Sequence, residues 1–291
     1  MSSTNVPTYG NYRGYYNKRP FLSDERLAVL PPSTFAGARV LDVGCNEGWV
    51  TCEIAQCHGA DLVVGVDIDD ALIQAAWKRK LSVWSTQGPS QVTSPVTPIS
   101  PTSIPEHRKR KANPSTEDLE SNYRDPLRNP PPPRNYFPLS CDHEFGTLPV
   151  PPSAHRGKTS FPHNVSFRTA DWTKTEIPED AAGYDVVVAF SVSKWIHLNE
   201  GDKGLRRFFR RVYEVLNPGG AFILEPQPWD SYSKAKRMNQ TLKENAKSLV
   251  IRPTDFESIL QEIGFGPASH YTVAVEGGFN RPIDLYNKIT P

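Results

Sequence analysis

Two apolar runs constrain the fold of this chain most. Arg39-Val-Leu-Asp-Val-Gly44 ends in glycine, Leu62-Val-Val-Gly-Val-Asp67 ends in an acid, and Trp49 to His58 between them carries apolar residues at helical spacing. Asp70 to Lys80 has helical spacing again. Strand runs that alternate with helices in this way specify a parallel sheet covered on both faces, an α/β fold. The alternation returns later. Val165-Ser-Phe-Arg and Tyr184-Asp-Val-Val-Val-Ala-Phe are read as strands, Gly204 to Leu216 as a helix stopped by Asn-Pro-Gly-Gly, and Ala221-Phe-Ile-Leu as a fifth strand. Pro253 to Leu260 reads as a further helix, and Ala268 to Val275 with Ile283 to Asn287 as a terminal hairpin.

Between the second helix and the third strand the pattern fails. Of 28 prolines in 291 residues, sixteen lie between Ser82 and Pro162, with four in a row at 130–133 and a basic run, His107-Arg-Lys-Arg-Lys111. This composition buries too little apolar area to offset chain entropy, so residues 82–163 are expected to form a disordered Pro/Ser-rich insertion. At the other end, residues 1–30 are read as an arm, Tyr9-Gly-Asn-Tyr-Arg-Gly-Tyr-Tyr16, followed by a short helix capped by Ser23. The main domain is then 31–291.

The 33 basic residues nearly balance the 32 acidic ones, a net charge of +1. That excludes coating a nucleic acid by overall charge and leaves the task to local patches. The start lacks a charged-then-apolar leader, and no run of about 18 apolar residues occurs, so a soluble intracellular protein without a membrane span is expected. Cys45, Cys52, Cys57 and Cys141 form no C-x-x-C pair. Reduced thiols and no metal site are expected.

The turn Gly44-Cys-Asn-Glu-Gly48 joins strand to helix, where missing side chains let a ligand approach the backbone. Asp67, at the end of the next strand, can accept two hydrogen bonds from a ribose diol. Two nucleoside cofactors compete. A dinucleotide wants G-x-G-x-x-G, but the middle glycine is replaced by Asn46, and Asp42 just before the turn would repel a pyrophosphate. The same acid would suit the ammonium and sulfonium of S-adenosylmethionine. Asp171 in Thr-Ala-Asp-Trp could take the adenine amino group, with Trp172 or Phe190 against the ring; the plainer alternative for Asp171 is a loop acid that starts a turn.

With these residues in hand, the chain resembles the seven-stranded S-adenosylmethionine-dependent methyltransferases, and among them the bicoid-interacting protein 3 type. The resemblance is carried by Tyr9-Gly-Asn-Tyr with Tyr15-Tyr16, Leu41-Asp-Val-Gly-Cys-Asn46, Gly65-Val-Asp-Ile-Asp69, Ser193-Lys-Trp-Ile-His-Leu-Asn199, Leu224-Glu-Pro-Gln-Pro-Trp229 and Gly278-Phe-Asn-Arg-Pro282. It implies a seven-stranded Rossmann-like class I methyltransferase sheet with an N-terminal arm and a long Pro-rich insertion. It also implies cofactor contacts from Tyr16, Arg26, Gly44, Cys45, Asn46, Asp67, Ile68, Asp171, Trp172 and Phe190. The family's capping enzymes carry Asn-Tyr at Asp171-Trp172 and Leu at Phe190, and these departures weaken the transfer of the adenine contacts.

The acceptor follows from the same comparison. Amino-group methyltransferases place Asn/Asp-Pro-Pro-Tyr after the fourth strand, whereas this chain has Ser191-Val-Ser-Lys-Trp-Ile-His197. Lys194 would repel a protonated amine and hold a phosphate. Tyr15, Arg19, His197 and Gln227 are candidates to complete a phosphate cradle. The family's substrate is then the expected one: the 5′-terminal phosphate, taken as the gamma phosphate, of a small non-coding RNA. Methyl transfer would leave S-adenosylhomocysteine. Ribonucleoprotein partners, a monomeric state and a nuclear, possibly also cytoplasmic, location complete the expectation. Plainer roles stand beside these: His197 as a hydrogen-bonded structural histidine, Glu225 as a brace, and Arg206, Arg207, Arg210 and Arg211 as a solvated helix face. The rival functions are a methyltransferase of another acceptor class, a dehydrogenase, and a non-catalytic RNA-binding chaperone that retains the fold.

Overall fold

The computed structural model describes residues 9–16, 23–88, 136–155, 158–272 and 281–289. Helix α1 (Glu25–Ala28) leads into β1 (Arg39–Val43), α2 (Trp49–Cys57), β2 (Leu62–Asp67), α3 (Asp70–Thr86) and α4 (Leu139–Phe145). After these come β3 (Val165–Thr169), β4 (Tyr184–Phe190), α5 (Ser193–Val215), β5 (Leu216–Glu225), α6 (Asp230–Ala235) and α7 (Gln240–Asn245). The chain closes with α8 (Phe256–Ile263), β6 (Ser269–Thr272) and β7 (Pro282–Asn287). The seven strands form one sheet in the order β3-β2-β1-β4-β5-β7-β6, parallel except for β7, which pairs antiparallel with both neighbours.

The central strands are mostly apolar because both of their faces are covered. One face packs Val40, Val63 and Val188 against Ile54 of α2 and Ile73 of α3. The other packs Leu41, Val187 and Phe222 against Phe208 and Phe209 of α5 and Leu260 of α8. Gly65 permits the close packing beside β3: a Cβ there would meet the Phe167 ring at 2.7 Å and the Cys45 sulfur at 3.0 Å. Helix α3 starts where Asp69 caps it, its Oδ1 accepting from the Ala71 amide at 2.8 Å.

Three expectations need correction. Helix α3 continues to Thr86, and the flanks of the expected insertion pack on it. Ser82 Oγ donates to Asp142 at 3.0 Å, the Leu148 amide donates to Ser85 Oγ at 2.6 Å, and Trp84 Nε1 donates to the Pro149 carbonyl at 3.3 Å. Aromatic and apolar residues in these flanks give the chain enough area to bury, which the proline count concealed. The basic run 107–111 and the four prolines lie outside the described residues. The second correction is that the helix expected from Gly204 begins eleven residues earlier, at Ser193, and is broken internally at Gly201, with φ +68° and ψ −173°. The third concerns Asn217-Pro-Gly-Gly220, which lies within the first part of β5: pairing with β4 holds at Tyr184 and Leu216, slips, and resumes at Val186 and Ala221. Among the described residues, no helix is long and apolar enough to cross a membrane.

Candidate functional site

A cavity of about 620 Å³ lies at the carboxyl ends of the parallel strands, lined there by Gly44, Asp67, Phe190 and Gln227. The strand order reverses between β1 and β4, and open α/β sheets take ligands at that crevice. The arm residues Tyr9 to Tyr12, with Tyr15 and Tyr16, form part of its wall. Gly10 permits this, since a Cβ there would overlap the Trp195 indole.

One end of the cavity is acidic. Asp67, 9% exposed, accepts from the Asn46 amide at 2.9 Å on Oδ2 and from the Asp69 amide at 3.0 Å on Oδ1. Burial raises its pKa, and those two amides oppose the rise. Asn46 reaches this position by adopting φ +52°, a left-handed conformation that Asn tolerates, and its Nδ2 donates to the Tyr12 carbonyl at 3.2 Å. Asp171 also lines the cavity, its oxygens taken by Thr173 Oγ1 at 2.6 Å and Lys174 Nζ at 2.7 Å. Its burial is outweighed by these partners, and its pKa falls.

The other end is basic. Lys194, 9% exposed, donates from Nζ to Ser231 Oγ at 3.3 Å and lies 4.9 Å from the centre of the Trp195 ring. Burial, with the charges of Arg281 and Lys234, pushes its pKa down to about 8. Arg281 Nη1 donates to Ser191 Oγ at 2.9 Å, and Ser191 Oγ donates to Glu225 Oε2 at 2.6 Å. Ser191 holds φ +58°, costly for a serine. Gln227 lines the cavity, yet its amide is committed to the turn: Oε1 accepts from the Lys194 amide at 3.1 Å, and Nε2 donates to the Ser191 carbonyl. It therefore positions Lys194.

Tyr15, Tyr16, Gly44, Asn46, Asp67, Ile68, Asp171, Trp172, Phe190, Lys194 and Gln227 of the sequence-predicted set meet in this cavity. Several others stand behind it. Asp42 takes Thr51 Oγ1 at 2.6 Å beneath the turn, and burial raises its pKa to about 6. Cys45 is buried beside Gly65. Gly48, at φ +74°, is required by packing: a Cβ would meet Phe167 and Ala76 within 2.9 Å. Arg26 is a buried strut that donates to Asp24 at 2.7 Å, to the Tyr16 hydroxyl at 2.8 Å and to Glu225 at 2.9 Å, and it covers the Phe190 ring at 4.5 Å. Trp172 borders the cavity, but its indole turns inward, Nε1 donating to Asp180 at 3.2 Å and the ring edge-on to Phe208. His197 is fully buried between Asp202 and Tyr232 and does not line the cavity. Arg19 lies outside the described residues.

The sequence reading missed Arg281, Ser231 and Lys234 as site residues. Arg281 sits in the Gly278-Phe-Asn-Arg-Pro282 string, and α6 directly follows Glu225-Pro-Gln-Pro-Trp229; both strings carried the resemblance, which was the available signal.

A family model for bicoid-interacting protein 3 matches residues 184–288. The chain is 36% identical to the 7SK snRNA methylphosphate capping enzyme of Mus musculus over 96% of its own length, and it spans 40% of that relative. It is 31% identical to a probable RNA methyltransferase of Arabidopsis thaliana over 97% of its length and 81% of the relative's. With the U6 snRNA methylphosphate capping enzyme of Drosophila melanogaster the identity is 30%, over 96% of this chain and 74% of that one. Among solved structures, the N-methyltransferase NodS of Bradyrhizobium japonicum, in complex with S-adenosyl-L-homocysteine, aligns with a TM-score of 0.50 at 12% identity. That alignment covers 97% of this chain and 98% of NodS. At that identity the likeness is one of fold.

Proposed function

The chain belongs to the bicoid-interacting protein 3 family, and from that premise we propose that it is an S-adenosylmethionine-dependent methyltransferase acting on the 5′-terminal phosphate of a small non-coding RNA. The observation that carries this reading is the division of one cavity into an acidic and a basic end.

The acidic end fits the methyl donor. Asp67, held by the Asn46 and Asp69 amides, lines the cavity as an acceptor for a ribose diol. Asn46 shapes the turn beside it, and Asp171 and Phe190 stand where an adenine would be held. When bound, S-adenosylmethionine supplies an electrophilic methyl group. Asp42 does not line the cavity and holds Thr51 beneath the turn instead.

The basic end fits the acceptor. Lys194, Lys234 and Arg281 present charge-assisted donors to a phosphate, and Tyr15 adds a hydroxyl. A terminal phosphate loses its second proton near pH 6, so its oxygen is anionic at neutral pH and needs no general base. The chain's contribution is orientation and exclusion of water, effects worth about 7 to 11 kcal/mol when reacting atoms are held in line. Cations placed on the non-attacking oxygens fix the phosphate without quenching its nucleophile. Similarity over 96% of this chain to methylphosphate capping enzymes is what favours the gamma phosphate in this proposal. A nuclear site of action and ribonucleoprotein partners belong to the same proposal, with the basic run from His107 to Lys111 as the sequence feature behind the former.

Transfer of a labelled methyl group to a 5′-triphosphate RNA tests the proposal. Wild-type protein is expected to label the RNA and Lys194→Ala to label it poorly. Full activity of Lys194→Ala would remove the lysine from the reaction.

A further inference from the structure

The cluster around His197 lies outside the cavity but touches α6, the helix that carries Ser231 and Lys234 of its basic end. His197 stands one turn beyond Lys194 on α5, fully buried. Its Nε2 is 2.7 Å from Asp202 Oδ1 and its Nδ1 is 3.2 Å from the Tyr232 hydroxyl. Asp202 also accepts the Val250 amide at 2.9 Å and the Ile251 amide at 3.3 Å. Hydrogen bonds and burial together assign the tautomer. The ionised Asp202 carboxylate is acceptor-only, so Nε2 carries the proton; neutral Nδ1 is then an acceptor, and Tyr232 donates to it.

The break in α5 at Gly201 makes this possible. In an unbroken helix, residues five apart point to different faces. With Gly201 at φ +68° and ψ −173°, Asp202 turns back onto His197.

Tyr232 is the inward side chain of α6, a six-residue helix without a side-chain cap. Its neighbours Ser231 and Lys234 line the cavity, and Ser231 Oγ receives Lys194 Nζ. This bond and the Tyr232 to His197 bond both tie α6 side chains to α5.

We propose that His197 is a positioning residue for the acceptor end of the cavity: by taking the Tyr232 hydroxyl on Nδ1 while Asp202 fixes Nε2, it sets where α6 places Ser231 and Lys234 against Lys194. This rests on the phosphate-methylation reading above. Asp67 and the Asn46 and Asp69 amides that hold it lie on β1, β2 and their turns and make no contact with this link.

The experiment compares Tyr232→Phe, His197→Gln and His197→Asn with the wild-type chain. Asn carries a polar atom near the place of Nδ1 and Gln near that of Nε2, so only the Asn variant keeps an acceptor for Tyr232. KM for a 5′-triphosphate RNA is expected to rise about fivefold in Tyr232→Phe and His197→Gln, the size of one hydrogen bond, and less in His197→Asn. Affinity for S-adenosylmethionine, read by calorimetry, is expected to stay at the wild-type value in all three. Unchanged KM in both Tyr232→Phe and His197→Gln would overturn the proposal. So would parallel loss of donor affinity, which marks a general structural role. A wild-type chain that methylates no RNA end, whatever the variants do, would sink the functional reading on which the proposal stands.

Discussion

The acidic and basic ends of the cavity are built in different ways. The acidic end comes mainly from one contiguous unit: Asp67 ends β2, and the Asn46 and Asp69 amides that hold it belong to the adjoining turns. The basic end is assembled from three segments far apart in sequence, with Lys194 at the start of α5, Lys234 on α6 and Arg281 before β7. A site made within one strand-turn-helix unit is fixed as soon as that unit folds. A site gathered from three elements depends on how they pack, and here that packing runs through Gln227, Ser191 and His197.

The contrast predicts separable losses. Asp67→Asn is expected to weaken S-adenosylmethionine binding on the order of a hundredfold, since it compromises two bonds to a charged acceptor worth about 1.5 to 3 kcal/mol each. RNA binding should stay within twofold, as anisotropy with labelled RNA would report; loss of both affinities together would break the division.

Lys194→Ala is expected to lower kcat/KM for RNA about fiftyfold, in the range for truncating a buried charged partner. Its calorimetric affinity for the donor should match wild type.

The pH profile sharpens the same point. A lysine held at about 8 keeps its charge below that pH and loses it above, while the phosphate gains its second negative charge above about 6. Activity is therefore expected to peak between these values and to fall up to about tenfold per pH unit on the alkaline side. Lys194→Arg, whose guanidinium stays charged, should abolish the alkaline limb. A limb that survives the substitution would assign it to another group.

The smallest effect concerns the acid beneath the turn. Asp42→Asn should change donor affinity by less than about threefold, because Asp42 faces Thr51 and not the cavity. Its raised pKa means the native state holds the proton more tightly than the unfolded chain, so stability falls as pH rises from about 4 towards 6. The asparagine variant removes that slope, and its melting temperature at pH 7.5 is expected to be a few degrees higher.

The same contrast explains what was legible in the sequence. The strands of the parallel sheet show as apolar runs, and Asp67 shows because its place at a strand end is fixed by local pattern. Lys194 shows because it replaces a known turn. What the pattern could not carry was direction. Asp42 and His197 have the right chemistry for a site, but one turns under the sheet to Thr51 and the other into a clamp with Asp202. Arg26 suits a cofactor contact by type and serves instead as an internal strut between Asp24 and Glu225. The strings that hold Arg281 and precede Lys234 do not show that either residue reaches the site, since only tertiary packing brings α6 and the start of β7 beside α5. The sequence reading starts this helix at Gly204 and misses its first turns, which lie ahead of the kink at Gly201.

The most direct test of the two-ended cavity is methyl transfer from labelled S-adenosylmethionine to three RNAs identical except at the 5′ end. The account predicts strong labelling of the triphosphate RNA, labelling of the monophosphate RNA at most to the same extent, and none of the 5′-hydroxyl RNA. Equal labelling of all three would contradict it, because the methyl group would then be going to a base or a ribose and the basic end would not be selecting the acceptor.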